Sequence, residues 1–175
     1  MTAFSPTEAI GILEAGDSRL RALTDRLTTD EICTTSTIGG GEWSVKDLLG
    51  HIAFWEERAL ATLDDWRAQR VLSPSNVEGW NADNHRQSAG QPLAAVRERA
   101  SLAHDKLIAA IRSVTEANWA AAVVVGGRSL SLGERIGEIT GGPKGAFDHV
   151  DAHRRDLESY VGEGSSRLTG SQDPK

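Results

Sequence analysis

"GEWSVKDLLGHIAFWEERAL", residues 41–60, reads as the opening of a long amphipathic helix that carries a histidine at the edge of its apolar face. Ser44 and Asp47 stand three residues apart in a capping-box pattern, which gives acceptors to N–H groups that a helix start otherwise leaves unpaired. Leu48, Leu49, Ile52, Trp55, Ala59 and Leu63 then recur at helical spacing, and the pattern predicts helix to about residue 69. A stripe this apolar has to be buried against other helices. His51 neighbours Leu48, Ile52 and Trp55 on that surface and is placed to point inward.

The flanking sequence supplies the partners. Ser5-Pro6-Thr7-Glu8 combines a cap, a first-turn proline and a capping-box glutamate, and Leu13, Leu20, Leu23 and Leu27 give this first helix one stripe. Residues 28–42 are too rich in Thr, Ser and Gly to continue it and read as a loop. Residues 71–92 form a second polar connection, with at most a short helical turn at 79–87. Pro92 then opens a third helix whose core face is Leu93, Val96, Ala100, Leu107, Ile111 and Val114. Residues 121–132 read either as a short extended stretch turning at Gly126-Gly127 or as a structured loop. Ser131 and Glu134 are a further capping box; Gly141-Gly142-Pro143 should interrupt that helix, and helical pattern resumes to about Val161. Residues 163–175 lack apolar content and are expected to be a disordered tail. The expectation is one all-α domain over 1–162, a four-helix bundle with two long connections.

Composition bounds the function. At 175 residues, 39% hydrophobic and 25% charged, the chain has the make-up of one globular domain. No apolar run approaches the ~18 residues that span a bilayer. A net charge of −6 without a basic cluster argues against nucleic-acid and anionic-membrane partners. The N-terminus lacks the pattern of a secretory signal, and the lone Cys33 has no internal partner for a disulfide, so a reducing cytoplasm is expected.

"FDHVDAHRRDL", residues 147–157, places His149 and His153 four apart, one above the other on a helix, in a stripe with Ala146, Val150, Leu157 and Tyr160 that should face the interior. Neutral imidazole is the commonest ligand for Zn²⁺, Ni²⁺ and Fe²⁺. His51 is the preferred third ligand, with His85 and His104 as the other candidates. Three protein ligands with a position left open is the pattern of catalytic metal sites. The plainer reading is that two of five histidines fall four apart by chance and are hydrogen-bonded core residues. Asp47, Asp148 and Asp151 could orient an imidazole or serve as a helix-start carboxylate and solvated charges. Trp43 and Trp55 could line a pocket mouth or simply pack. Cys33 has no adjacent cation to stabilise a thiolate, and the glycine runs at 39–41 and 141–145 do not fit phosphate-binding spacing.

Residues 41–60 and "HVDAHRRDL" (149–157) together resemble the DinB-like superfamily, which includes the N-terminal domain of mycothiol-dependent maleylpyruvate isomerases. "VEGWNADNHRQSAGQPLAAV" (77–96) adds a weaker similarity. The resemblance covers the chain to about residue 161. It implies a DinB-like four-helix bundle, often a homodimer, binding one divalent metal (Zn, Ni or Fe) through His51, His149 and His153. It further implies a thiol-dependent S-transferase or isomerase that uses mycothiol, bacillithiol or a similar low-molecular-weight thiol on a small-molecule electrophile. Two alternatives accompany it: a non-catalytic metal- or ligand-binding stress-response module, and a hydrolase of the colibactin self-protection type, a branch that opens cyclopropane rings without such a triad. The C-terminal domain of the larger isomerases has no counterpart in these 175 residues.

Overall fold

A computed structural model describes residues 4–35, 37–39, 41–142 and 145–169, with side chains described through 162. The helix read from residues 41–60 is α3 (Val45–Arg67), capped by Ser44 and closed by the Ser44/Asp47 box. With α1 (Pro6–Thr24), α5 (Leu93–Arg112) and α8 (His149–Thr169) it forms the four-helix bundle. α3 packs chiefly along α5, and α1 lies against both α8 and α5. The capping boxes at Ser5/Glu8 and Ser131/Glu134 are formed as the spacing predicts.

The connections hold more structure than expected. α2 (Thr29–Cys33) occupies the first, started by a Thr28/Glu31 capping box. Its Ile32 is fully buried, and the Glu31 carbonyl accepts a hydrogen bond from Tyr160 Oη on α8 at 3.0 Å. The second connection carries a full helix, α4 (Val77–Ala89), rather than a turn. Its buried residues are polar, Asn84 and Ser88, so hydrophobic periodicity could not reveal it. α6 (Glu116–Trp119) follows α5, and β1 (Ala122–Val125) pairs antiparallel with β2 (Arg128–Ser131) around a Gly126-Gly127 turn, which settles residues 121–132 as a hairpin. Leu72 bridges to Val125 and fastens the second connection to this hairpin. α7 (Leu132–Ile139) ends before Gly141-Gly142, as read; Pro143 lies outside the described residues. α1 stops at Thr24, so Leu27 falls beyond the helix. α8 is helical through Thr169; the side chains of the expected 163–175 tail lie outside the described residues, as does the backbone of 170–175.

Two apolar clusters fill the bundle. One gathers Leu63, Leu107, Ile111, Leu132, Ile136 and Phe147; the other gathers Leu20, Ile32, Val45, Leu48, Val96 and Leu157. α3 runs through both, with Trp55 in the first and Ile52 in the second, so His51 sits where they meet.

α4 is held to α3 by polar contacts at close range. The buried Lys46 Nζ donates to the carbonyl oxygens of Ser88 (2.7 Å) and Ala89 (3.3 Å), supplying acceptor-rich helix-end groups with a cation. Gly50 allows this approach: a Cβ there would stand 2.4 Å from Ser88 Oγ and 3.0 Å from its Cβ. Gly50→Ala should therefore cost about 1–3 kcal/mol by overpacking. Gly11→Ala, in α1 with nothing within 4 Å of a new Cβ, should instead stabilise by about 0.5–1 kcal/mol. Urea unfolding of both variants checks the pair; equal effects would contradict this packing.

Candidate metal centre

The inner face of α3 carries His51, 4% exposed, and α8 begins with His149. Backbone fixes that start: the His149 N–H donates to the Thr140 carbonyl at 3.2 Å, just past the end of α7. Between them, Phe147 adopts a left-handed conformation with φ of 64°, which costs a non-glycine residue about 1–2 kcal/mol. Its buried ring offsets this by packing edge-on against Phe4 (5.8 Å) and stacking on Trp119 (6.1 Å). Gly142 lets the connection pass close to α8, because a Cβ there would lie 2.8 Å from that of Ala152.

These constraints bring three imidazoles together. His51 Nε2 lies 3.0 Å from His149 Nε2, and ring centroids are 5.2 Å apart for His51 and His153 and 5.3 Å for His149 and His153. One nitrogen from each of the three falls within 4.8 Å of the others. A tetrahedral ion with bonds of about 2.0–2.1 Å holds its ligand nitrogens roughly 3.3 Å apart, so modest ring rotations suffice. Burial followed by the charge of His153 pushes the pKa of His51 down to about 3. Burial, with the other two rings next, holds that of His149 well below the ordinary histidine value, and burial lowers that of His153. All three are neutral at pH 7 with lone pairs available. His51 Nδ1 is buried without a hydrogen-bond partner among the described residues. Neutral, convergent nitrogen donors fit a borderline divalent cation such as Zn²⁺, Ni²⁺ or Fe²⁺.

The other candidate histidines are elsewhere. His104 is buried, and its Nδ1 contacts Glu56 Oε1 at 2.8 Å. Burial opposes its charge, but the hydrogen bond and charge of Glu56, with Asp17 and Asp105 beyond, leave its pKa raised. His85, on α4, stacks on Trp43 with centroids 6.1 Å apart. Trp43 in turn lies 4.8 Å from the His51 ring and 6.1 Å from His153. Asp47 keeps the helix-start role: its Oδ2 accepts from Ser44 N (2.9 Å) and Oγ (2.6 Å). Asp151 pairs with Arg19 at 3.0 Å. Cys33 is exposed on α2.

The triad opens onto a cavity of about 660 Å³ that Trp43 and Trp55 also line. Asn81, Arg128, Arg135 and Glu138 continue its wall. Sequence reading missed all four: α4 was not legible as a helix, and a charged helix residue looks the same whether it faces solvent or a cavity. The volume suits a small molecule. Among the described residues, no helix is long and apolar enough to cross a membrane.

Residues 12–140 match the sequence profile of the DinB superfamily. No curated protein matches the sequence. Among solved structures, the mycothiol-dependent maleylpyruvate isomerase superposes with a TM-score of 0.66 at 20% identity, over 90% of this chain and 63% of that one. The chain thus spans less than two thirds of that isomerase. YfiT from Bacillus subtilis, described as a probable metal-dependent hydrolase with an unusual four-helix bundle topology, gives 0.58 at 15% identity over 97% and 92% of the two chains. The colibactin self-resistance protein ClbS, in a complex with double-stranded DNA, gives 0.67 at 14% over 94% and 98%. These likenesses establish the shared fold.

The depressed histidine pKa values carry a pH signature. Below the ordinary value of 6.5 the unfolded chain takes up protons at these positions while the folded, metal-free chain does not. The triad's contribution is therefore fully present above pH 6.5 and is lost as pH falls toward about 3. Urea unfolding of metal-free protein at pH 7, 6 and 5 should show falling stability, and a His51→Gln/His149→Gln/His153→Gln variant should show a shallower fall. Equal slopes would contradict the neutral triad.

Proposed function

The chain belongs to the DinB superfamily, and on that premise we propose that it is a divalent-metal-dependent enzyme in which His51, His149 and His153 hold one Zn, Ni or Fe ion. Its reaction on this reading is thiol-dependent: a low-molecular-weight thiol such as mycothiol or bacillithiol attacks a small electrophile, in an S-transfer or an isomerisation. The observation that carries the reading is the convergence of three neutral imidazoles, one buried and two half-buried, from two helices on a cavity large enough for a small molecule. When bound, such an ion supplies Lewis acidity, lowering the pKa of a thiol or water that it ligates.

The chain's own residues do the rest. The histidines offer nitrogen lone pairs and contribute no charge, so the ion's charge is undiminished by the protein ligands. Trp43 and Trp55 flank the rings and exclude water from one side of the site, with Trp55 Nε1 anchored on Asn81 Oδ1 at 3.1 Å. Cys33 is not among the residues lining the cavity, which favours an external thiol over a protein nucleophile.

Hydrolysis is the second reading: an ion in this site could activate water as well as a thiol, and YfiT, which shares the fold, is described as a probable metal-dependent hydrolase. Nucleic acid is not part of either: ClbS is seen with DNA, but the net charge of −6 here works against phosphate binding. A homodimer belongs to the proposal on the family resemblance, and a cytoplasmic setting on the lone Cys33, which has no internal partner for a disulfide.

Metal content by mass spectrometry on tag-free protein, purified without chelator, tests the site. Wild type should carry roughly one Zn, Ni or Fe ion per chain, and His51→Ala, His149→Ala and His153→Ala should each empty it while remaining folded. A wild type that is empty and does not load with added Zn²⁺ or Ni²⁺ would overturn the proposal. With the ion in place, panels of thiol acceptors and of hydrolase substrates separate the two chemistries.

A further inference from the structure

The cavity wall away from the histidines carries an unusual charge. Arg135 on α7 is 4% exposed, and burial holds its pKa below the usual arginine value. Its Nη2 is committed to the chain, donating to Ser73 O at 2.8 Å and Ser75 Oγ at 3.2 Å. Its Nε is buried with no hydrogen-bond acceptor among the described residues. The nearest carboxylate, Glu138, reaches Nη1 at only 3.6 Å and is shared with Arg128, whose Nη2 donates to both Glu138 oxygens at 3.0 and 3.1 Å. The acidic and basic side chains other than histidine lining the cavity are therefore two arginines and one glutamate.

A buried guanidinium with an unused donor and half-share of a counter-ion is costly to keep. If Arg135 served only to tie α7 to residues 73–75, the two Nη2 hydrogen bonds would suffice. We propose that Arg135 is the anion contact of this pocket, and that the small molecule taken there carries a carboxylate, bound by Arg135 while its apolar part lies along Trp43 and Trp55 toward the histidines. Carboxylate is the favoured class because the charge left over after Glu138 and Arg128 pair is a single cation, which one carboxylate balances. Asn81, whose Oδ1 accepts from Trp55 Nε1, adds amide donors to the same wall. The inference rests on the reading of this cavity as the substrate site, and it names the class of substrate that the site selects.

Calorimetric titration with 3-phenylpropanoate and its neutral isostere 3-phenylpropanamide tests it, using metal-free and Zn²⁺-loaded wild type, Arg135→Gln, Arg135→Lys and, as an arginine away from the cavity, Arg99→Gln. Metal-free wild type and Arg99→Gln should bind the acid about ten- to a hundredfold more tightly than the amide, as a charge-assisted hydrogen bond implies. Arg135→Gln should abolish the preference and Arg135→Lys should keep only part of it. Should Arg135→Gln fail to fold, the wild-type ratio and Arg135→Lys still decide. Equal binding of acid and amide, binding of neither, or a preference that survives Arg135→Gln would overturn the assignment. Inorganic phosphate displacing the acid at equal concentration would overturn the choice of carboxylate. A preference present only with Zn²⁺ would overturn Arg135 as the contact while leaving the metal reading intact. An Arg135-dependent preference in a protein that never loads metal would leave this inference standing and remove the metal.

Discussion

Two imidazole nitrogens held 3.0 Å apart, His51 Nε2 on α3 and His149 Nε2 on α8, require two helices far apart in sequence to meet at one buried point. Neighbouring features of the fold serve that meeting. α3 must be long enough to run through both apolar clusters, so that burial along Leu48, Ile52, Trp55 and Leu63 fixes its rotation and turns His51 inward. α8 must start at a defined residue, and the hydrogen bond from His149 N–H to Thr140 O sets it. The left-handed Phe147 and the glycine at 142 make the turn between α7 and α8 short enough to deliver two histidines to the same place. Local backbone strain of this kind persists only where surrounding packing over-determines it, and the stacking of Phe147 on Trp119 supplies that packing.

Five histidines in one chain illustrate how environment, rather than residue type, assigns a role. His51 is buried and His149 half-buried beside it, and desolvation keeps both neutral and available as ligands. His104 is buried to a similar degree, yet Glu56 at 2.8 Å favours its cation, and the two make an internal polar link between α3 and α5. His85 is spent on stacking with Trp43. The arginines divide in the same way: Arg99 is paired by both oxygens of Glu57, whereas Arg135 keeps a donor that none of the described residues accepts.

The bundle and the triad were legible because both depend on short-range regularities. Capping boxes at Ser5, Ser44 and Ser131 and apolar residues at helical spacing mark the start and the buried face of a helix without reference to anything distant. His149 and His153 were legible as a pair by spacing. His51 was preferred as their partner because it edges an apolar face, and the family motif supported the choice. The missed elements have the opposite character. α4 buries Asn84 and Ser88 rather than a hydrophobic stripe, and what holds it is Lys46 reaching across from α3, a contact between residues 42 and 43 positions apart. α2 did have a local signal, the Thr28/Glu31 box, within a stretch whose glycines and threonines favoured a loop. The cavity wall was invisible because Arg135 and Glu138 owe their position to the hairpin of β1 and β2 and to residues 73–75, contacts that sequence spacing does not encode.

X-ray absorption at the edge of the bound metal distinguishes a metal centre at the triad from a hydrogen-bonded core cluster. A metal centre should show about three imidazole nitrogens at roughly 2.0–2.1 Å, and His149→Ala should lose that nitrogen shell. An ion lacking imidazole neighbours, or an imidazole shell unchanged in His149→Ala, would contradict it.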